Sequence, residues 1–74
     1  MNKPKRVSEP PSYFQVPAVY DADPASKHLR MGQWFMNRYM PTMQDDTLYN
    51  STNRGEIMAL LLSYYEKYQW NMTP

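Results

Sequence analysis

The 74-residue sequence contains no cysteine, one histidine and two glycines, and each shortage excludes a class of site. Without cysteine there is no disulfide and no thiolate metal site, and the single histidine, His28, cannot make a histidine-rich metal site. The two glycines, Gly32 and Gly55, provide no glycine-rich phosphate loop. We therefore expect the protein to use neither a metal nor any other cofactor.

The sequence also lacks the side-chain arrangements that nucleophilic catalysis requires. A nucleophile needs a neighbouring base and a group that orients this base, but His28 is the only imidazole and no nucleophile motif accompanies it. Asp45 and Asp46 are adjacent, so on a helix their side chains would point about 100° apart, and a role at a helix start explains them. We predict that the chain is not an enzyme and has no catalytic residues.

Long apolar runs and an excess of one charge are missing as well. No run approaches the ~18 residues of a membrane span, and residues 1–14 lack the apolar core of a signal peptide. Eight Lys and Arg against seven Asp and Glu give a net charge of +1, which by itself selects no polyanionic partner. We expect a cytoplasmic protein that has no membrane partner.

Aromatic residues and methionine are abundant, with seven Tyr, seven Met, two Trp and two Phe. Such side chains are enriched at protein interfaces, although a small core also needs bulky residues, and both interpretations fit. A chain of this length buries only about 60% of the surface that it exposes when unfolded. Since disulfides and metals are excluded, self-association is the usual means of stabilisation that stays open.

The distribution of prolines separates an N-terminal arm from the rest of the chain. Residues 1–22 contain four prolines, which forbid a continuous helix and favour extended or polyproline conformations. The apolar stretch SYFQVPAVY within this segment would pack on the helical body or on a second subunit. We predict an extended, partly mobile arm over residues 1–22 and a small helical domain over residues 23–74.

Capping residues predict an all-α fold with two main helices. Asp23, placed before a proline, is a typical N-cap for the first helix. Asn53 and Glu56 resemble a capping box for the last helix. A short helix between the two would place Leu48 and Tyr49 in the core. The main helices are predicted at about residues 24–40, ending before a proline, and at about residues 54–70.

The first predicted helix has a basic face that contains a tryptophan. Trp34 lies four residues after Arg30 and four before Arg38, so both guanidinium groups can reach the indole. Three interpretations stay open: a cation–π cluster covers the ring, the arm buries it, or it docks a partner. His28 falls on the apolar half and is expected to be structural. The predicted partner-binding residues are Lys27, Arg30, Trp34 and Arg38.

The last predicted helix is apolar over more than half of its circumference, which is wider than a surface helix needs. We therefore predict a homodimer with this helix near the interface, unless the arm covers it. Trp70 falls on the narrow polar side. Gly32, which costs ~1 kcal/mol in a helix interior, could permit close approach of the last helix or its symmetry mate. The predicted self-association residues are Gly32, Met58, Leu61, Leu62 and Tyr65.

The sequence RMGQ at residues 30–33, with Asn37 and later Leu48-Tyr49, resembles a pattern found in short, uncharacterised phage and prophage accessory proteins. The pattern in those proteins is R-x-G-Q-x-x-x-N followed by L-Y, and the resemblance covers residues 30 to about 65. It implies a bacterial cytoplasmic setting and a non-enzymatic accessory role. It assigns no binding residue.

Two binding functions fit these features. The favoured one is a small, non-enzymatic accessory protein that binds a host or phage protein. The alternative is a nucleic-acid-binding module that uses the basic face of the first helix with Lys3, Lys5 and Arg6. The nearly neutral net charge favours a protein partner. The segment between the predicted helices is also longer than the turn of a helix-turn-helix motif.

Overall fold

The chain folds into a series of short helices around one longer C-terminal helix. The computed structural model describes residues 9–74, so the basic residues Lys3, Lys5 and Arg6 lie outside the described part. Within residues 9–74 there are four α-helices and no strand, which confirms the predicted all-α class. The α-helices are α1 (Val16–Ala22), α2 (Met31–Tyr39), α3 (Asp46–Asn50) and α4 (Arg54–Tyr68), and 3-10 helices cover Tyr13–Gln15 and Pro24–His28.

The described part of the predicted arm is helical over most of its length. Its 3-10 helix leads directly into α1, where Pro17 is tolerated because the first N–H groups of a helix have no intrahelical partner. The segment packs on the helical body of its own chain, and the Tyr65 hydroxyl donates to the Pro11 carbonyl at 2.6 Å. The expectation of an extended conformation is therefore wrong for residues 13–22.

The helix predicted over residues 24–40 is divided in two. Asp23 is an N-cap, as predicted, but it caps a 3-10 helix by accepting from the Ala25 N–H at 2.9 Å. The residues that follow this 3-10 helix, Leu29 and Arg30, are extended, and α2 begins only after them. A single helical register therefore does not describe this segment.

Side-chain hydrogen bonds explain this break. The Ser26 hydroxyl lies 2.7 Å from the carbonyl oxygens of Tyr20 and Asp23, and the Tyr20 hydroxyl donates to the Leu29 carbonyl at 2.5 Å. Such bonds compete with the helical pattern of the backbone. Because the register changes here, His28 is exposed and does not lie on an apolar face, contrary to the prediction.

The cap of α4 lies at its predicted position, and α3 begins at the Asp45–Asp46 pair that was expected near a helix start. The Asp45 carboxylate accepts from the Leu48 N–H at 3.0 Å and begins α3. The Asn53 side chain accepts from the Glu56 N–H at 3.0 Å and begins α4, as the predicted capping box requires. The Glu56 carboxylate, however, accepts from the Ser51 hydroxyl at 2.6 Å. In a complete capping box the Glu56 side chain would accept from the Asn53 backbone N–H, and here the Ser51 hydroxyl is the donor instead.

Helix α4 ends at Tyr68, two residues before the predicted end. Gln69 adopts the left-handed conformation, with φ 56°, and the Trp70 N–H donates to the Tyr65 carbonyl at 3.0 Å. A left-handed residue commonly ends a helix in this way. The chain therefore turns back, and Trp70 contacts the rings of Tyr65 and Tyr68 instead of lying on a polar helical face.

Aromatic and aliphatic side chains from all four α-helices form the core. Gly32 allows α2 and α3 to approach closely, because a Cβ atom at this position would lie 2.1 Å from the Leu48 carbonyl oxygen. The glycine therefore contacts α3 of the same chain, and not the last helix or a second subunit. The buried apolar side chains are Val16, Met31, Trp34, Phe35, Met36, Tyr39, Met40, Leu48, Ile57, Leu61 and Tyr65.

Candidate functional site

Trp34, the centre of the predicted partner-binding site, is buried in the core. Its exposure is 2%, and its indole N–H donates to the Asp23 carboxylate at 2.8 Å. Tyr20 of α1 covers the ring edge-on, with ring centroids 5.4 Å apart. Burial of the ring by the N-terminal segment was one of the three open interpretations. The expectation that the ring is available to a partner is contradicted.

The three basic residues of the predicted site do not form one surface around the indole. Arg38 lies 3.5 Å from the Asp23 carboxylate, and its guanidinium is 6.0 Å from the centroid of the Tyr39 ring. Lys27 and Arg30 are exposed, but they lie on either side of the break between the 3-10 helix and α2. The predicted cationic face depended on a continuous helix, which the structure does not contain.

The residues predicted for self-association fall into two groups. Leu61 and Tyr65 have 0% exposure, and Gly32 is buried against α3, so none of these three can contact a second subunit. Burial raises the pKa of Tyr65 above its ordinary value, and the nearby tyrosine hydroxyls raise it further. Met58 and Leu62 are half-buried on α4 and stay candidates for such a contact.

Two of the three exposed large apolar side chains line cavities around the turn that follows α2. Among residues 9–74, the exposed large apolar side chains are Phe14 at 55%, Tyr68 at 40% and Tyr49 at 38%. Tyr49 lines a cavity of about 410 Å³ and Tyr68 lines one of about 270 Å³. Residues 41–43 line both cavities, so the two adjoin. We call this region the aromatic surface; it consists of Pro41, Met43, Tyr49, Tyr68 and Trp70.

Tyr68 and Trp70, two rings of the aromatic surface, are held in place although they are partly exposed. Tyr68 stacks on Tyr64 with the ring planes 3° apart, and its centroid is 5.1 Å from that of Trp70. The Tyr68 hydroxyl donates to the Met43 sulfur at 3.7 Å, and the Lys67 ammonium is 5.5 Å from the Tyr68 ring centroid. Since these contacts orient the rings, a partner that binds them loses less freedom on binding.

The larger cavity is acidic. Asp45 and Asp46 both line it, and no Lys or Arg does so. The Asp45 carboxylate accepts from the Tyr64 hydroxyl at 2.5 Å, which lowers the pKa of Asp45 and raises the pKa of Tyr64 to about 12. The ion pairs within residues 9–74 involve Arg38 and Arg54, and each of these is bound to an aspartate outside this cavity. Asp46 has no such partner in this part of the chain.

The sequence alone does not reveal the aromatic surface, although the spacing of two of its tyrosines is consistent with it. Tyr64 and Tyr68 are four residues apart and therefore neighbours on a helix. They were assigned to the broad apolar face of the last helix, together with side chains that are buried. Tyr49 was expected in the core with Leu48, but only Leu48 is buried.

Nothing in the described part of the chain assigns a metal or a membrane to this surface. Residues 9–74 contain no group of three or more potential metal-ligating side chains. None of the helices described is long and apolar enough to cross a membrane. The chain matches no family model, no curated protein and no solved structure.

Proposed function

We propose that this chain is a small, non-enzymatic protein-interaction protein that binds its partner through the aromatic surface. The observation that supports this function is the position of Tyr49 and Tyr68, two large exposed side chains that flank adjoining cavities. Tyr, Trp and Met are characteristic of protein interfaces, and contiguous exposed apolar patches commonly mark interaction sites. In this proposal, the abundance of aromatic residues serves both the core and the partner.

The resemblance to phage and prophage accessory proteins supports a cytoplasmic setting and a host or phage protein as the partner. A homodimer through Met58 and Leu62 is compatible with the same function, because neither side chain lines the two cavities of the aromatic surface. Light scattering at micromolar concentration, which reports the mass of the particle, distinguishes a dimer from a monomer.

Nucleic-acid binding is the alternative function, and it has less support. Lys27 and Arg30 are exposed and free to contact phosphates, but Arg38 is engaged by an aspartate. A binding protein that neutralises several phosphates loses affinity steeply as salt rises. Retention on mixed-sequence DNA or RNA at low salt, lost as salt rises, would favour this alternative over the proposed function.

A capture experiment with matched variants tests the proposed function. We expect Tyr68→Ser to reduce recovery of the partner from a bacterial lysate by at least about tenfold, since interface aromatics carry much of the binding energy. Phe14→Ser, which removes another exposed aromatic ring far from the turn in sequence, should capture the partner as the unmodified chain does. Equal capture by both variants would show that the aromatic surface is not the binding site.

A further inference from the structure

We infer that the aromatic surface binds an extended, proline-rich peptide segment that carries a lysine or an arginine. This inference rests on the proposed function and deepens it by naming the class of ligand. Four features of the surface support it: the arrangement of its cavities, its aromatic walls, a proline-rich segment held nearby in the same chain, and its charge.

The two cavities suit an extended ligand. They have volumes of about 410 and 270 Å³ and share the turn residues 41–43, which stand between them. In a polyproline II helix, residues three positions apart lie on the same side with a spacing of ~9 Å. A proline-rich segment can therefore place one ring in each adjoining cavity while its backbone crosses the turn.

The walls of the smaller cavity match the chemistry of proline. Tyr39, Tyr68 and Trp70 line it together with Met40 and Met43. Proline-rich segments present flat apolar rings and carbonyl acceptors, but few N–H donors, and they dock in aromatic-lined grooves. The Trp70 indole N–H has no acceptor within residues 9–74 and is not enclosed, so it can donate to a ligand carbonyl.

A tyrosine hydroxyl next to Trp70 already binds a proline carbonyl of the same chain. Pro10 is buried, and the Pro11 carbonyl accepts from the Tyr65 hydroxyl at 2.6 Å. The Tyr65 ring meets the Trp70 ring edge-on, with centroids 5.3 Å apart. The Tyr65 hydroxyl thus binds a proline carbonyl of the same chain, and Trp70, which packs on the Tyr65 ring, also lines the open cavity.

The charge of the larger cavity selects a cation on the ligand. Asp45 and Asp46 line this cavity without any Lys or Arg, and Asp46 is exposed and has no ion pair within residues 9–74. Opposite charges across an interface guide encounter and orientation. We therefore place a lysine or arginine of the ligand next to Asp46, at one end of the proline-rich segment.

A peptide titration of the ¹⁵N-labelled full chain tests this inference. The probe is the blocked peptide Pro-Pro-Ala-Pro-Pro-Ala-Arg, compared with one peptide in which alanine replaces every proline and another in which glutamate replaces the arginine. We expect the probe to shift the resonances of Tyr49, Tyr68 and the Trp70 indole. Both altered peptides should bind at least about tenfold more weakly, because each lacks one of the two complementary features.

Variants assign the effect to the surface. Tyr68→Ser should weaken binding of the probe at least about tenfold, and Phe14→Ser should leave it unchanged. Asp46→Asn, a small change on an exposed side chain, should reduce the difference between the arginine and glutamate peptides by at least about threefold, and the charge of Asp45 should maintain the rest. Well-dispersed spectra and unchanged melting temperatures must accompany each variant, and Asp46→Asn provides the test if Tyr68→Ser unfolds.

Three results would overturn the inference. The first is the absence of shifts at millimolar probe, and the second is equal binding of the alanine peptide. The third is the same shifts on raising the protein concentration without peptide, since a second copy of the chain would then occupy the surface. If the peptide fails while capture still depends on Tyr68, only the ligand class is wrong. If the peptide does not bind and capture does not depend on Tyr68, both the ligand class and the proposed function are wrong.

Discussion

At the scale of single residues, Asp23 connects the N-terminal segment to the core. Its carboxylate accepts from the Ala25 N–H and from the Trp34 indole, and Arg38 lies 3.5 Å away. The Trp34 hydrogen bond, then that of Ala25, then the charge of Arg38 lower the pKa of this carboxyl. One side chain thus caps a helix and satisfies the N–H of a buried ring, which would otherwise be costly to bury.

The burial of Trp34 predicts a large loss of stability on its removal. Trp34→Ala should lower the free energy of unfolding by ~3 kcal/mol or more, as large-to-small core substitutions do. Trp34→Phe should cost less, about 1–3 kcal/mol, because a phenyl ring still fills much of the site while the hydrogen bond to Asp23 is lost. Urea denaturation followed by circular dichroism measures both. A loss under about 1 kcal/mol for Trp34→Ala would mean that the ring is not in the core.

The close approach at Gly32 makes a second prediction for a single residue. Alanine favours a helix interior by ~1 kcal/mol over glycine, yet its Cβ would lie 2.1 Å from the backbone oxygen of Leu48. Overpacking of this kind typically costs 1–3 kcal/mol, so Gly32→Ala should be destabilising. Gly55→Ala is the matched control, because its nearest neighbour is the side chain of Asn53 at 3.2 Å. Stabilisation by both substitutions would contradict the contact between α2 and α3.

At the scale of helices, the hydrogen bond from Tyr64 to Asp45 joins α4 to the start of α3. It lowers the pKa of Asp45, so the stability that this carboxylate contributes is present above its unfolded pKa of ~3.9 and lost as the pH falls. The same bond raises the pKa of Tyr64 to about 12. The stability that the neutral Tyr64 hydroxyl contributes is therefore complete below about pH 10 and lost as the pH rises towards 12.

Stability should therefore decline on both the acidic and the alkaline side of neutrality. We expect the urea midpoint to fall below about pH 4 and above about pH 10. Tyr64→Phe should reduce the alkaline decline and part of the acidic one, since Asp45 keeps only its bond to the Leu48 N–H. The acidic decline should not vanish, because Asp21 and Asp23 also have lowered pKa values. An alkaline profile unchanged by Tyr64→Phe would contradict the role of this bond.

The sequence predicts helix starts well and helix continuity poorly. Asp23, Asn53 and the Asp45–Asp46 pair were placed at or next to caps, because a cap is a local interaction between residues two or three positions apart. The break after His28 depends on the Tyr20 hydroxyl reaching the Leu29 carbonyl from another helix. No local sequence pattern encodes that contact. The predicted basic face around Trp34 is wrong because it assumed one continuous helix through this break.

At the scale of the whole molecule, the N-terminal and C-terminal segments meet. The Tyr13 N–H donates to the Asn71 carbonyl at 2.9 Å, and the Ser12 hydroxyl donates to the Thr73 carbonyl. The described chain measures 39 × 25 × 24 Å, and its apolar core is covered from within the same chain. The N-terminal segment, α2 and α3 all pack on the broad apolar face of α4.

The aromatic surface could not be predicted because its parts are distant in sequence. Residues 41–43 meet Tyr68 and Trp70 only in the folded chain, and Trp70 reaches them because the chain reverses at Gln69. Composition shows that aromatic side chains are abundant, which fits either a core or an interface. It could not say which of them stay outside, since exposure is decided by the packing of the helices.

The most direct test of binding through the aromatic surface is photo-crosslinking in bacterial cells, with benzoylphenylalanine replacing Tyr68 in one variant and Phe14 in another. Both positions are exposed and aromatic, so the two variants differ mainly in location. We predict one discrete adduct with another protein from position 68 and none from position 14. Identical adducts from both positions, or none from position 68, would contradict binding through this surface.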